Sequence, residues 1–466
     1  MGEGVALAAR GAGSPARLAL AVALPVLLFA GDAQSTGLVG ARAASRAAIS
    51  NVSASAFSNV SATAGRLEFT PQGTKLIFDL SGPVEARAFP LANPDRIVVD
   101  LPEIAFHVAP LLPRPAAARK GRGGDVPAAP MGLVTSYRFG QFAPGHSRII
   151  IDLAAPARIV RAETQHGAAG APAQLIIELA QTDRQSFETA AAAANVFGLS
   201  AKKPQATAAA PPAPSARQVV VLDPGHGGVD FGASSPHGDM EKDIVLDFAT
   251  TLAARLESQG RYKVVLTRGS DVFIPLQERV QIARDANAAL FVSIHADTLM
   301  ERHVQGATVY TVSERASDAE AARLADKENQ SDAAAGVVGP EDVAEVHDIL
   351  QDLTRRETRA YSHVFARTLV SLWKNAGQLN KNPQRSAGFR VLKALDVPSV
   401  LLELGYVSNE KDLAGLVSPE WREKAAGTVA ASIDAFFAQR NVETATIPPD
   451  AVVKVSLPAD PGAAAR

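Results

Sequence analysis

Two hydrophobic patterns divide the chain into a strand-rich part and a part where strands alternate with helices. From about residue 66 to 182, short runs of isoleucine, valine and leucine are bounded by proline, glycine and asparagine, which predicts β-strands. From 218 onward, apolar runs at 219–222 and 290–294 alternate with stretches of helical spacing at 244–258 and 276–288. This alternation predicts an α/β domain whose mainly parallel sheet is covered by helices on both faces.

The strand-rich part contains an internal repeat. The runs at 75–80 and 148–153 both end in Asp-Leu, and a proline follows after two intervening residues (Pro83 and Pro156); the run at 96–101 resembles the run at 174–179. Two copies of one β-unit predict an all-β sandwich of two similar sheets. The alternative is coincidence between strands rich in isoleucine and valine, which the shared ending disfavours.

The first residues have the pattern of a secretory signal peptide. Arg10 and Arg17 precede an apolar run at 18–30, and small residues follow at 31–33. The run is short and contains Pro25, so a membrane anchor is the less favoured alternative. No later segment is long and apolar enough to span a bilayer, so we expect a soluble mature protein outside the cytoplasm.

Composition shifts predict the order of segments. The stretch at 113–130 is basic and rich in alanine, glycine and proline, which predicts a loop, and alanine and proline dominate at 190–217. The expected organisation is a signal peptide (1–33), a flexible leader (34–64), a β domain (65–182), an Ala/Pro-rich linker (183–217), an α/β domain (218–440) and a disordered tail (441–466).

Charge and cysteine content exclude several classes of function. The formal net charge is −2, which argues against a nucleic-acid partner. The chain has no cysteine, so it has no disulfides, thiolate metal sites or cysteine nucleophile.

Polar groups capable of chemistry follow the predicted strands of the α/β domain. His226 lies in Asp-Pro-Gly-His-Gly-Gly at 223–228, and His295 lies in Ser-Ile-His-Ala-Asp at 293–297. Glu241 begins the first helix, and Glu403 ends the last strand. Strand ends in an open α/β sheet line the edge where ligands bind. Two histidines and one carboxylate that leave a fourth position open are typical of a catalytic zinc site. Glu403 could then take a proton from a water molecule.

Each of these residues also has an ordinary structural interpretation. His226 could be a loop residue, and His295 a hydrogen-bonded core histidine. Glu241 could be a carboxylate favoured by the helix dipole. Glu403 could pair with an arginine such as Arg390. Their shared placement at strand ends and adjoining turns favours the metal site.

The α/β part resembles the zinc-dependent N-acetylmuramoyl-L-alanine amidases of type 3. The resemblance runs through residues 218–439, on the motifs at 221–228, 241–243, 266–268, 293–297 and 403–409. It implies that His226, Glu241 and His295 bind Zn²⁺ and that Glu403 is the catalytic acid/base. It also implies hydrolysis of the amide bond between N-acetylmuramic acid and L-alanine in peptidoglycan, in the periplasm.

The repeat at 65–182 resembles the AMIN domain, a peptidoglycan-binding module that targets such amidases to the division site. The whole chain then resembles the AmiC/AmiB type of cell-division amidases, which split the septum between daughter cells. A wall peptidase or deacetylase, a non-enzymatic wall-binding protein and a nucleotide-binding domain are the alternatives. The motifs and the complete set of four site residues disfavour the first two, and the absence of G-x-G-x-x-G and a Walker lysine disfavours the third.

An insert at 317–339 separates a strand from a long helical stretch. Ser317 and Glu320 form a predicted capping box, and the helix that follows runs to about residue 329 with Leu324 and Glu328 on one face. Small and polar residues at 330–339 then interrupt the helix. The resemblance implies that this helix blocks the active site until a LytM-domain activator protein at the septum releases it. We predict that Glu328 reaches the open zinc position; the alternative is a solvated helix carboxylate.

Overall fold

The structure is a computed structural model that describes residues 60–70, 73–111, 132–167, 171–198, 217–337, 349–394 and 396–446. The predicted signal peptide, the predicted loop at 113–130 and most of the predicted linker lie outside the described residues. Within the described part, no helix combines the length and hydropathy that crossing a membrane requires.

The β domain consists of strands that form two sheets. The strands are β1 Ser61–Thr70, β2 Gly73–Leu80, β3 Arg87–Leu91, β4 Arg96–Pro102, β5 Ala105–Phe106, β6 Val134–Ala143, β7 His146–Leu153, β8 Ala157–Gln165 and β9 Ala173–Gln181. Sheet 1 has the order β5-β1-β2-β9-β8, and sheet 2 has the order β3-β4-β7-β6. The predicted all-β N-terminal fold is therefore confirmed.

The sequence repeat corresponds to a cross-pairing of strands. The first copy supplies β2 and β4, and the second copy supplies the matching strands β7 and β9. In the structure β2 pairs antiparallel with β9, and β4 pairs antiparallel with β7. Each sheet therefore takes its two central strands from different copies of the repeat.

The core of the β domain lies between the two sheets, and one helix contributes to it. Phe78 of sheet 1 and Ile97 of sheet 2 are fully buried in this core, together with Phe187 from helix α1 (Arg184–Gly198). The sequence analysis placed a linker from residue 183, so α1 corrects that expectation for 184–198. Its run of alanines has high helix propensity, and Phe187 anchors its first turns on the sandwich.

The α/β domain follows, and strands alternate with helices through most of it. Its elements are β10 Gln218–Pro224, α2 Glu241–Ser258, β11 Tyr262–Leu266, α3 Leu276–Asp285, β12 Leu290–His295, β13 Ala307–Val312, α4 Ala319–Asn329, α5 Ser331–Ala334, α6 Ile349–Trp373, β14 Leu379–Ala387, β15 Ser399–Glu403, α7 Glu410–Leu416 and α8 Pro419–Thr446. The central sheet has the order β11-β10-β12-β15-β13-β14, and only the β15–β13 pair among these is antiparallel.

Helices cover both faces of the central sheet, as predicted. Along β10, Val220 and Leu222 face a core that includes α2, α6 and α8, whereas Val221 faces a second core that includes α3 and α4. Alternate residues of a strand point to opposite faces, so a strand buried on both sides is a continuous apolar run. This geometry brings the carboxyl ends of β10, β12 and β15 to one edge.

Several predicted boundaries are wrong by a few residues. The N-cap of α4 is Asp318, whose carboxylate accepts from Ala321 N; Ser317 Oγ donates to that carboxylate and accepts from Ser386 N on β14. The predicted break after 329 contains the short helix α5. The predicted leader overlaps β1 by four residues, and α8 extends to Thr446 inside the predicted tail.

Candidate metal centre

The turn after β10 places His226 at the edge of the central sheet. Its backbone is in the left-handed region, with φ angles of 58° at His226, 123° at Gly227 and 57° at Gly228. A Cβ atom on Gly225 would lie 2.4 Å from Cε1 of His295. Glycine at 225 is therefore what lets the two imidazole rings approach each other, with ring centroids 5.0 Å apart.

Three predicted ligands converge at this edge. Nε2 of His226 lies 3.2 Å from Oε2 of Glu241, and Nδ1 of His295 lies 3.2 Å from Oε1 of Glu241. All three side chains are buried, and one ligand atom from each lies within 4.8 Å of the others. Backbone N–H groups of Ala233 and Ala296 donate to the Glu241 carboxylate at 2.8 and 2.9 Å, which fixes its orientation.

The chemistry of this cluster fits a divalent metal ion. Nε2 of His226 is buried and has no hydrogen-bond partner in the described part of the chain. Buried polar atoms rarely remain without a partner, and two imidazoles with one carboxylate form the N/O set that zinc favours. The cluster could therefore hold a metal ion. His237 and His303 lie in exposed turns and His363 lies on α6, whereas His347 is outside the described residues.

Asp230 was not identified by the sequence analysis, yet it orients a ligand. Its Oδ2 lies 2.9 Å from Nδ1 of His226, so it holds the imidazole with Nε2 directed at the cluster. Burial alone would raise the pKa of Asp230, but the charge of His226 and their hydrogen bond lower it to about 2. An aspartate four residues after a histidine in a glycine-rich turn is the signal that could have identified it.

Glu403 lies beside the cluster because β15 is the neighbour of β12, with His295 and Glu403 in register. The residue is fully buried, and its Oε2 accepts from Asp297 N at 3.0 Å. Its Oε1 has no hydrogen-bond partner among the residues that the structure describes. Burial raises the pKa of Glu403 well above its ordinary value, and the negative charges of Asp297 and Glu241 raise it further. A buried carboxyl group with one free oxygen beside a metal cluster is suited to proton transfer.

Glu328 of helix α4 lies on the remaining side of the cluster. Its Oε2 is 3.4 Å from Nδ1 of His295 and 3.6 Å from Nε2 of His226. The residue is 5% exposed, so the interpretation as a solvated helix carboxylate is wrong. Lys327, the preceding residue, forms an ion pair with Asp297, which links α4 to the loop after β12.

Two family models match the chain over separate ranges. The model described as N-acetylmuramoyl-L-alanine amidase matches residues 220–435, and the model described as AMIN domain matches residues 66–179. The first range contains all the site residues described above, and the second covers most of the β domain.

Curated relatives with similar sequences span most of the chain. N-acetylmuramoyl-L-alanine amidase AmiC of Escherichia coli O6:H1 is 32% identical over 376 residues, covering 78% of this chain and 87% of the relative. N-acetylmuramoyl-L-alanine amidase AmiC of Neisseria meningitidis is 29% identical, covering 83% of this chain and 91% of the relative. A solved structure, N-acetylmuramoyl-L-alanine amidase AmiC2 of Nostoc punctiforme, is 29% identical and covers 48% of this chain and 99% of that chain, with a TM-score of 0.35.

Proposed function

The chain belongs to the family of N-acetylmuramoyl-L-alanine amidases, and we propose that His226, Glu241 and His295 bind a zinc ion for its reaction. The bond cleaved is the amide between N-acetylmuramic acid and L-alanine in peptidoglycan. The observation that carries the proposal is the buried cluster of two imidazoles and a carboxylate, which has Glu403 beside it and Glu328 on its remaining side.

The proposed chemistry divides between the metal and the protein. When bound, the zinc ion supplies Lewis acidity that makes a water molecule nucleophilic near neutral pH and polarises the amide carbonyl. Glu403 accepts a proton from that water as its oxygen bonds to the carbonyl carbon. Glu403 then donates the proton to the L-alanine nitrogen as the C–N bond breaks. Asp297 N holds the Glu403 carboxyl group, and Asp230 holds His226.

Digestion of purified sacculi with the full chain tests the bond and the metal together. We expect intact stem peptides with a free L-alanine amino terminus, detected by mass spectrometry. A chelator should stop their release, and added Zn²⁺ should restore it. Release of shorter peptides would indicate a peptidase, and loss of acetyl groups from intact glycan would indicate a deacetylase.

We propose that Glu328 blocks this site in the resting protein. A carboxylate oxygen 3.4 and 3.6 Å from the two imidazole nitrogens occupies the position that water and substrate need. The ion pair between Lys327 and Asp297 holds α4 in place beside Glu403's backbone partner. Displacement of α4 is therefore required before substrate can enter.

Replacing Glu328 with alanine should raise the basal hydrolysis of dye-labelled sacculi in the absence of any activator. We expect basal hydrolysis to rise about tenfold or more, because no carboxylate then competes with water and substrate for the position at the metal. Asp326→Ala, on the exposed face of the same helix, is the matched control and should leave basal activity unchanged. Unchanged activity in a folded, zinc-loaded Glu328→Ala protein would contradict the block.

The remaining proposals concern the place of action. The AMIN match supports peptidoglycan binding by the β domain, and the pattern of residues 1–33 supports export to the periplasm. We place the enzyme in septum splitting during daughter-cell separation, with a LytM-domain activator as the partner that displaces α4. Imaging of the tagged chain through the division cycle tests the location, and pelleting of the isolated β domain with sacculi tests the binding.

A further inference from the structure

The β domain contacts the segment that directly follows α4, the helix that carries Glu328. This segment, residues 331–337, comprises α5 and the turn after it and is here called the latch. Only Asn329 and Gln330 separate it from Glu328, and Gln330 is both the C-cap of α4 and the N-cap of α5. The position of the latch therefore constrains the position of Glu328.

Three arginines of sheet 2 donate hydrogen bonds to consecutive carbonyl groups of the latch. Arg96 on β4 donates to Ala333 O, and Arg138 on β6 donates to Ala334 O at 2.6 Å. Arg148 on β7 donates to the carbonyl oxygens of residues 335 and 336, each at 3.1 Å. The last carbonyls of a helix have no N–H partners further along it. Ala333 O accepts from Gly336 N at 2.9 Å within the latch, so Arg96 adds a second donor there, and the other two arginines supply donors to the three carbonyls that follow.

The arginines are fixed in place within the β domain. Arg148 forms a two-pronged ion pair with Asp100 at 2.6 and 2.9 Å, and its guanidinium lies 3.5 Å from the centre of the Phe142 ring. Arg138 pairs with Asp152 at 2.7 Å. The latch therefore meets donors that are already oriented, which reduces the entropy lost on docking.

Arg96 is the residue whose environment depends most on the latch. It is 3% exposed, and burial together with the neighbouring charge of Arg138 lowers its pKa to about 10. It donates to two backbone carbonyls, Pro94 O within the β domain and Ala333 O in the latch. A buried guanidinium is costly without acceptors, so removal of the latch leaves a charged group that must be solvated.

Apolar packing reinforces these hydrogen bonds. Ala335 of the latch is fully buried in a cluster with Val98 and Ile150 from the outer face of sheet 2. Leu91 of β3, Val229 from the turn after His226, and Phe273 complete the buried part of that cluster. The latch is thus enclosed between sheet 2 and the part of the α/β domain that carries the metal ligand.

Sheet 2 also directly contacts the turn after β10 that carries His226, here called the metal turn. A Cβ atom on Gly140 of β6 would lie 2.3 Å from the backbone carbon of Gly228, two residues after His226. Phe273 N donates to Gln141 O at 3.2 Å. The outer face of sheet 2 therefore has a defined position relative to both the metal turn and the latch.

We propose that the outer face of sheet 2 is a docking surface for the latch, and that the β domain thereby holds Glu328 at the metal site as an intramolecular inhibitor. The inference rests on the proposed function, in which Glu328 blocks the reaction. It assigns to the β domain a second role besides wall binding. Release of α4 then requires separation of the latch from sheet 2, so movement of the β domain and opening of the site are one event.

The first test removes the donors while keeping their apolar stems. In the full chain, Arg96→Met together with Arg148→Met should raise basal sacculus hydrolysis about tenfold, because a hydrogen bond to a charged group is worth about that factor in an equilibrium constant. Arg161→Met is the matched control, since Arg161 pairs with Glu178 on sheet 1 and is remote from the latch contacts. The control should leave basal hydrolysis unchanged.

A second variant acts from the latch side and leaves the β domain intact. Ala335→Glu places a carboxylate among Val98 and Ile150, which should exclude the latch from the surface. Hydrogen–deuterium exchange in peptides covering residues 319–337 should become faster in this variant and in the double arginine variant. This readout reports docking independently of catalysis, and exchange should be unchanged in Arg161→Met.

The outcomes separate this inference from the blocking proposal on which it rests. Faster exchange with raised hydrolysis in both variants supports it. If Glu328→Ala raises hydrolysis but the docking variants change neither exchange nor hydrolysis, the docking surface is wrong and the block stands. If exchange becomes faster while hydrolysis rises only in Glu328→Ala, docking does not inhibit, which overturns the inference. If Glu328→Ala does not raise hydrolysis, the block fails and this inference fails with it.

Discussion

Replacement of His295 by alanine is expected to abolish zinc binding and amidase activity together. His295 supplies one of three proposed ligands, and a site with only His226 and Glu241 is too weak to retain a catalytic zinc ion. The purified variant should contain less than about a tenth of one zinc per chain by elemental analysis, with no detectable sacculus hydrolysis. No other described cluster of three ligand-type residues could take over the ion.

The control for this variant is His303→Ala, which removes an exposed histidine from the loop after the same strand. It should retain one zinc ion and full activity. Circular dichroism should confirm that both variants are folded, since His295 is buried and its loss leaves a small cavity. Stoichiometric zinc in a folded His295→Ala protein would overturn the ligand assignment.

Replacement of Glu403 by glutamine should leave zinc bound while reducing turnover by roughly two to four orders of magnitude, the range for loss of a general acid–base group. Glutamine keeps the shape of the side chain and can still accept from Asp297 N. Its amide cannot take a proton from water or return one to the leaving nitrogen. The loss should therefore appear in kcat more than in KM.

Glu410→Gln is the matched control, because Glu410 lies seven residues later on the exposed first turn of α7. It should retain normal kcat. Because Glu328 could mask changes at Glu403, both variants should also be measured in the Glu328→Ala background. Near-normal turnover by a zinc-loaded Glu403→Gln protein would reduce Glu403 to a structural role.

The sequence was sufficient to predict the strands whose ends carry the site residues. Strands buried on both sides are continuous apolar runs, and the polar residues that end them stand out against those runs. His226, His295 and Glu403 were found in this way, and the parallel sheet brings them together. The same reasoning missed Asp230, because its role depends on the three-dimensional path of the turn after β10.

Contacts between distant segments were not predictable from local patterns. The arginines of sheet 2 lie 187 to 237 residues before their acceptors in the latch, and no periodicity connects them. One signal was present: the runs at 96–101 and 148–153 are apolar without strict alternation. Such runs predict that both faces of a strand are buried. A two-sheet sandwich buries only the inner face of each sheet, so a further segment must cover the outer face. The helix α1 was missed because alanine-rich sequence is equally typical of helices and linkers.

The cross-pairing of the repeated strands has a consequence for how the β domain is completed. A single copy would hold β2 and β4 without the partners that complete their sheets, and it would expose unpaired edges. Two separate copies could satisfy each other only as an intertwined symmetric dimer, whose assembly would depend on protein concentration. Joining them in one chain makes the association intramolecular, at an effective concentration that dilution cannot lower. The domain is in this sense a covalently joined dimer, and its integrity is independent of how few copies the cell contains.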